Sequence, residues 1–165
     1  MTMVAVESCL SLIWGGERVI IKATDSRETL PRAQELFTEF LDPEFVNLDL
    51  DVSDPMPERE VAVYEMIDNG RTYPYAQIYR GLGDLNRLCL TWDQIKTFVR
   101  DQTKWLRAEG CGTLFLVKVR GKISIADVHV HEAGRRVFLD NFAGYDALDA
   151  KHKHRVVLPR LALES

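Results

Sequence analysis

Residues 113–140 read TLFLVKVRGKISIADVHVHEAGRRVFLD, and this stretch decides the fold. Three runs, Thr113 to Val119, Ile123 to His131 and Arg136 to Asp140, are separated by glycine turns at Gly121 and Gly134. Apolar runs bounded by turn residues read as strands, so the spacing predicts a β-meander. Side chains two apart share one face of a strand. Ile123, Ile125, Asp127, His129 and His131 therefore line one side of the middle strand, and Ala126, Val128 and Val130 the other. With Ala133-Gly134 as a two-residue turn, Asp127 falls opposite Asp140, His129 opposite Phe138 and His131 opposite Arg136.

Upstream, Thr91 and Gln94 form a capping box, and Leu90 before the cap can staple onto Ile95. The apolar face continues through Phe98, Val99 and Leu106, which predicts a helix that stops before Gly110 near Ala108 and Glu109. Val61 to Ile67 and Thr72 to Tyr79 flank Asp68-Asn69-Gly70-Arg71, and Asn-Gly between two such runs predicts a hairpin. Pro74 lacks the N–H a ladder needs, which assigns the second strand to an edge or a bulge. Leu30, Ala33, Phe37, Phe40 and Leu41 recur at helical spacing after Thr29, a candidate N-cap, and predict a helix from Leu30 to Leu41.

Phe45 to Val52 reads as a strand, and Leu10 to Ile13 and Arg18 to Lys22 as a hairpin around Trp14-Gly15-Gly16-Glu17. A last strand spans Arg155 to Leu158. Hairpins segregated from two helices predict an α+β fold with a mostly antiparallel sheet, in one domain over residues 1–165.

Composition narrows the function. With 165 residues, 46% of them hydrophobic, the chain has the apolar content of one domain with a sizeable core. A net charge of -4 gives no global attraction to nucleic acid or anionic lipid, so general nucleic-acid binding is disfavoured. Cys9, Cys89 and Cys111 leave one thiol over in any intramolecular disulfide scheme, which fits a reducing cytoplasm. No stretch approaches the roughly 18 apolar residues of a membrane span, and no basic segment precedes the first apolar run. The expected setting is cytoplasmic, away from membranes.

All four histidines fall into two His-x-His pairs, His129 with His131 and His152 with His154. Imidazoles two apart on one strand face, with Asp127 and Asp140, form a candidate divalent-metal set for a small metal-dependent hydrolase. Against it stands the solvated face that a one-sided antiparallel strand presents. Asp127 to His131 also resembles the Asp-x-His-x-His motif of metal-dependent phosphoesterase and amidohydrolase barrels, but five residues late in a chain too short for a barrel carry neither that fold nor that activity. Lys151 to Arg155 reads as a cationic turn that can cradle an anion. Cys89 or Cys111, followed by His129 or His131 and then Asp140 or Asn141, follows the Cys, His, Asn/Asp order of papain-like enzymes, without their signature residues. Gly81-Leu82-Gly83-Asp84 lacks the Lys-Ser/Thr of a phosphate loop.

The Asn69-Gly70 hairpin would place Tyr64 and Met66 on the same face as Tyr73, Tyr75 and Tyr79. Tyrosine and methionine are enriched where proteins meet, so this face is expected to be partly exposed and to bind a partner. Asp49 and Asp51 head an acidic stretch that can steer a basic protein.

In element order, Cys9 to Ala108 resembles the small α+β immunity proteins of bacterial toxin systems: a Gly-Gly hairpin, a helix, a hairpin around Asp68-Asn69-Gly70-Arg71, then Leu90-Thr91-Trp92 opening a helix. The resemblance implies a non-enzymatic inhibitory module, without a cofactor, that masks a basic site on another protein by stoichiometric contact. Phage-encoded inhibitors of bacterial defence work by similar physics.

Overall fold

The computed structural model describes residues 9–13, 17–24, 32–48, 55–144 and 147–160. Its elements begin with β1 (Leu10–Leu12), β2 (Val19–Ile21), α1 (Ala33–Leu36), β3 (Phe40–Leu41), α2 (Pro43–Leu48) and β4 (Arg59–Met66). There follow β5 (Thr72–Pro74), α3 (Tyr75–Ile78), α4 (Leu85–Leu88) and α5 (Trp92–Asp101). The chain then runs through β6 (Gly112–Val119), β7 (Lys122–His131), β8 (Gly134–Asn141), β9 (Ala147–Asp149) and β10 (Arg155–Pro159).

The meander forms as its sequence predicts, β6 pairing β7 and β7 pairing β8. It sits inside an eight-stranded sheet of order β1-β4-β10-β6-β7-β8-β3, in which β2 also pairs β4. The mostly antiparallel sheet with two helices is corrected here. β10 runs parallel to β6, β3 runs parallel to β8, and the described residues carry five short helices. The reason is the return of the last strand: β10 inserts between β4 and β6, antiparallel to one and parallel to the other.

The pairing of β4 with β1, β2 and β10 leaves neither predicted hairpin in place. One side of β4 is taken by β10 and the other by β1 at Tyr64–Met66 and β2 at Arg59–Val61. No free ladder remains on β4 for the strand after Asn69-Gly70. β5 pairs β9 instead, and Tyr75–Ile78 turns helical as α3. Asn69 still makes a turn, its Oδ1 accepting from Arg71 N–H at 3.1 Å, with Gly70 at φ 74°. β1 and β2 pair with β4 and not with each other; Trp14 to Gly16 lie outside the described residues.

Two further elements differ from expectation. The helix predicted to reach Leu41 covers only Ala33–Leu36, because Phe40 and Leu41 pair with Arg136 and Val137 of β8; Thr29 to Pro31 lie outside the described residues. Phe45, assigned to a strand, lies in α2. Asp42 starts that helix, its Oδ1 accepting from Glu44 N–H at 3.1 Å, with Pro43 in the first helical position. The Thr91–Gln94 capping box of α5 forms with both hydrogen bonds. α5 ends at Asp101, short of Ala108, and a single 3-10 turn (Thr103–Trp105) follows.

Both faces of the sheet are covered, which is why its central strands are nearly continuous apolar runs. On one face Phe115, Val117, Ala126, Val128, Val137 and Val157 pack with Ile95, Phe98 and Val99 of α5. On the other, Met66, Leu114, Leu116, Ile125 and Val156 pack with Tyr73, Tyr75, Ile78, Tyr79 and Leu88. No helix among the described residues is long and apolar enough to cross a membrane.

Candidate functional site

The second core does not extend over the whole of its face. Toward the β8 edge it gives way to a polar row that rises from buried to open, and most of the residues singled out in the meander lie there. Asp127 is buried and His129 and His131 are half-buried, all three on the face that also carries Ile125. The shared face is as expected, but its inner part is core.

The register is two residues off the one predicted. Asp127 pairs Phe138, His129 pairs Arg136 and His131 pairs Gly134, so Glu132-Ala133 makes the turn. Asp140 therefore lies opposite Ile125, not Asp127. Its carboxylate accepts a 2.5 Å hydrogen bond from the Tyr75 hydroxyl, and burial together with that bond pushes the Tyr75 phenol upward. The candidate metal set is thus divided: Asp127 is paired with His129, Asp140 with Tyr75, and His131 stacks on His129. Among the described residues, no group of three or more His, Cys, Asp or Glu side chains gathers closely enough to hold a metal ion.

The two His-x-His pairs do converge, through one member of each, at Gly112. Gly112 is the β6 partner of His129, and its N–H donates to Nδ1 of His154 at 3.0 Å. A side chain at 112 would collide with the Asp127 carboxylate, which occupies the space that the glycine leaves. The carboxylate meets His129 Nε2 at 3.0 Å, and His129 Nδ1 lies 2.7 Å from the Gly110 carbonyl oxygen. Both partners of His129 accept, so the network assigns a proton to each ring nitrogen. The Asp127 bond is the main cause that raises the His129 pKa, opposed by burial.

His154 is in the opposite condition. Its Nδ1 accepts, so it is neutral with the proton on Nε2, and burial is the main cause that lowers its pKa. An imidazolium and a neutral imidazole thus flank Gly112, with the Asp127 charge beside them. Asp127 Oδ1 and the Tyr79 hydroxyl are both buried without a hydrogen-bond partner among the described residues. This arrangement can hold a proton on His129 and a negative charge on Asp127, both at the foot of an open aromatic rim.

That rim is formed by Phe40 of the edge strand β3, stacked on Phe138 at 5.0 Å between ring centroids. Phe138 in turn meets the His129 ring edge-on at 5.4 Å, and His129 stacks with His131 at 6.2 Å. Arg136, paired with Glu39, completes it. Phe40 is 40% exposed.

The tyrosine face expected to be partly exposed is core. Met66, Tyr73, Tyr75 and Tyr79 are buried and Tyr64 is half-buried, because β5 and α3 fold over the sheet instead of extending a hairpin from it. Asp49 and Asp51 lie outside the described residues. All three cysteines are free. Cys89 lies near Val117, at the opposite end of β6 from His129, whose partner is Gly112. About five residues, or 16 Å of strand, separate those two ends, and burial pushes the Cys89 thiol up. The structure therefore does not bring Cys89 and His129 together.

Of the residues that build this site, Phe40 reads in the sequence as part of a helix face and Gly112 carries no motif. A Gly-Cys-Gly run at 110–112, opposite a polar row, was the available signal for a strand that admits a buried carboxylate. In comparisons with known proteins, the chain matches no family model, no curated protein and no solved structure.

Proposed function

We propose that the protein is a non-enzymatic binding or inhibitory module, of the immunity or anti-defence kind, that acts on another protein by stoichiometric surface contact at the β3–β8 edge. The observation that carries the reading is Phe40: a large aromatic side chain, 40% exposed, stacked on Phe138 at the end of a sheet and bordered by Arg136 and His129. Aromatic residues, phenylalanine included, and arginine are enriched where proteins meet, and an aromatic already held by stacking loses little freedom on contact. β3 is a two-residue edge strand, and Val46 of the following helix α2 is 44% exposed. The Arg136–Glu39 pair beside Phe40 gives the patch a polar rim.

The test compares three variants against the native partner by surface plasmon resonance, with melting temperature as the folding control. Phe40→Ala and Arg136→Ala are expected to speed dissociation at least tenfold. Leu12→Ala, on the opposite edge of the sheet, is expected to leave the rate unchanged. Dissociation that is unaffected by Phe40→Ala and Arg136→Ala sinks the proposal.

A further inference from the structure

We infer that a second site, a cleft at the opposite end of β6, binds a small organic anion with an apolar body, a phosphate monoester or a carboxylate. The cleft has a volume of about 310 Å³, at the small end of the range for ligand pockets. It opens where β10 has ended and the segment at Leu90 takes its place beside β6, Leu90 N–H donating to Leu116 O at 2.8 Å.

Three cations border it: Arg59, Lys118 and Arg120. Among the described residues none of the three has an acidic partner. Arg59 is half-buried and holds its guanidinium against two carbonyl oxygens, Cys89 O at 3.2 Å and Arg87 O at 3.0 Å, which orient it without cancelling its charge. Among the described residues the one carboxylate in the lining, Asp93, is balanced by Lys96 at 3.3 Å.

A second, independent feature points to an acceptor ligand. Gln94 also lines the cleft and is 1% exposed, and its Oε1 is committed to the capping box, accepting from Thr91 N–H at 3.0 Å. Its Nε2 is buried and has no hydrogen-bond partner among the described residues. A buried donor left unmade costs about 1–3 kcal/mol, and an anionic oxygen in the cleft would satisfy it. The N-terminal end of α5 adds the positive end of the helix dipole. Leu90 and Trp92 supply apolar wall, so the ligand combines an anionic head with an apolar body. The cleft shares no lining residue with the Phe40 surface, so either proposal can fail without the other.

The experiment titrates phenyl phosphate and benzoate into the isotopically labelled protein, followed by amide chemical shifts and calorimetry, with phenol and inorganic phosphate as controls. At least one of the two organic anions is expected to saturate, with shifts centred on Cys89 to Gln94 and on Lys118 to Arg120, and the tighter of the two identifies the head group. Phenol and inorganic phosphate should bind at least tenfold more weakly. Gln94→Glu keeps the acceptor of the capping box but replaces the donor with a charge, and should weaken binding at least tenfold, while the melting temperature reports what the buried carboxylate costs the fold. Lys118→Ala with Arg120→Ala, two exposed positions, should weaken binding at least tenfold without lowering the melting temperature. No saturation by either anion overturns the proposal, as do shifts centred elsewhere or an affinity that both variants leave unchanged.

Discussion

The carboxylate of Asp127 occupies the volume that a side chain on Gly112 would fill, so the neighbouring strand is shaped around a buried charge. Gly112 is not at positive φ, and alanine suits its backbone. The obstacle at this position is the occupied space. Gly112→Ala is therefore expected to destabilise the protein by about 1–3 kcal/mol, as overpacking of a buried site does. In an Asp127→Ala background the same substitution should cost at least about 1 kcal/mol less, because the two residues compete for one volume. Chemical denaturation of the four proteins of the cycle measures this; a purely additive result contradicts the relationship.

The two histidines that meet at Gly112 give opposite pH dependences. The His129 pKa is raised in the fold above its ordinary 6.5. Its stabilisation is complete below 6.5 and is lost as pH rises through the folded value. The His154 pKa is lowered below 6.5, so its contribution is complete above 6.5 and is lost as pH falls through the folded value. His129→Gln should flatten the alkaline limb of stability against pH. His154→Asn, which keeps an acceptor for Gly112 N–H, should flatten the acid limb. Urea midpoints across pH 4 to 9, about two and a half units either side of the ordinary value, check both; limbs exchanged between the variants would reverse the protonation assignment.

Tyr75 and Tyr79 are both buried, but among the described residues only the Tyr75 hydroxyl has a hydrogen-bond partner. Tyr75→Phe removes the bond to Asp140 and is expected to cost about 1.5–3 kcal/mol, as for a hydrogen bond to a charged group. Tyr79→Phe removes a hydroxyl that has no acceptor among the described residues and is expected to change stability by under about 0.5 kcal/mol, or to raise it. Thermal unfolding ranks the pair, and equal losses would contradict the assignment.

Thr91 caps α5, the longest helix among the described residues, its Oγ1 accepting from Gln94 N–H at 3.1 Å while the Gln94 side chain reaches back. Thr91→Ala should cost about 1 kcal/mol and Thr91→Ser much less. Similar losses for both would mean that the methyl group, and not the cap, carries the effect.

Signals complete within a few residues were legible in the sequence. The capping box needs only Thr91 to Gln94, and the meander needs only alternation and turns. Asp42-Pro43-Glu44 was equally legible as a helix start, but the alternation from Phe45 to Val52 obscured it. The elements that depended on a distant partner were not legible. Asn69-Gly70 carries a hairpin signal, yet β1, β2 and β10 occupy both sides of β4, and nothing local to the turn records that competition. The tyrosines depend on the same pairing: a face shared in a hairpin is divided among β4, β5 and α3, packed into a core. In the candidate site, the shared face of Asp127, His129 and His131 was readable, whereas the two-residue shift depended on which residues closed the turn. That shift separated Asp140 from Asp127.

The most direct test of the central claim, contact with another protein through the β3–β8 edge, is site-specific photo-crosslinking in the native host. A benzophenone side chain replaces Phe40 in one strain and Leu12, 45% exposed on the far edge, in another. The account predicts one protein adduct of one-to-one mass from position 40 and none from position 12. An adduct from position 12 with none from position 40 would contradict it.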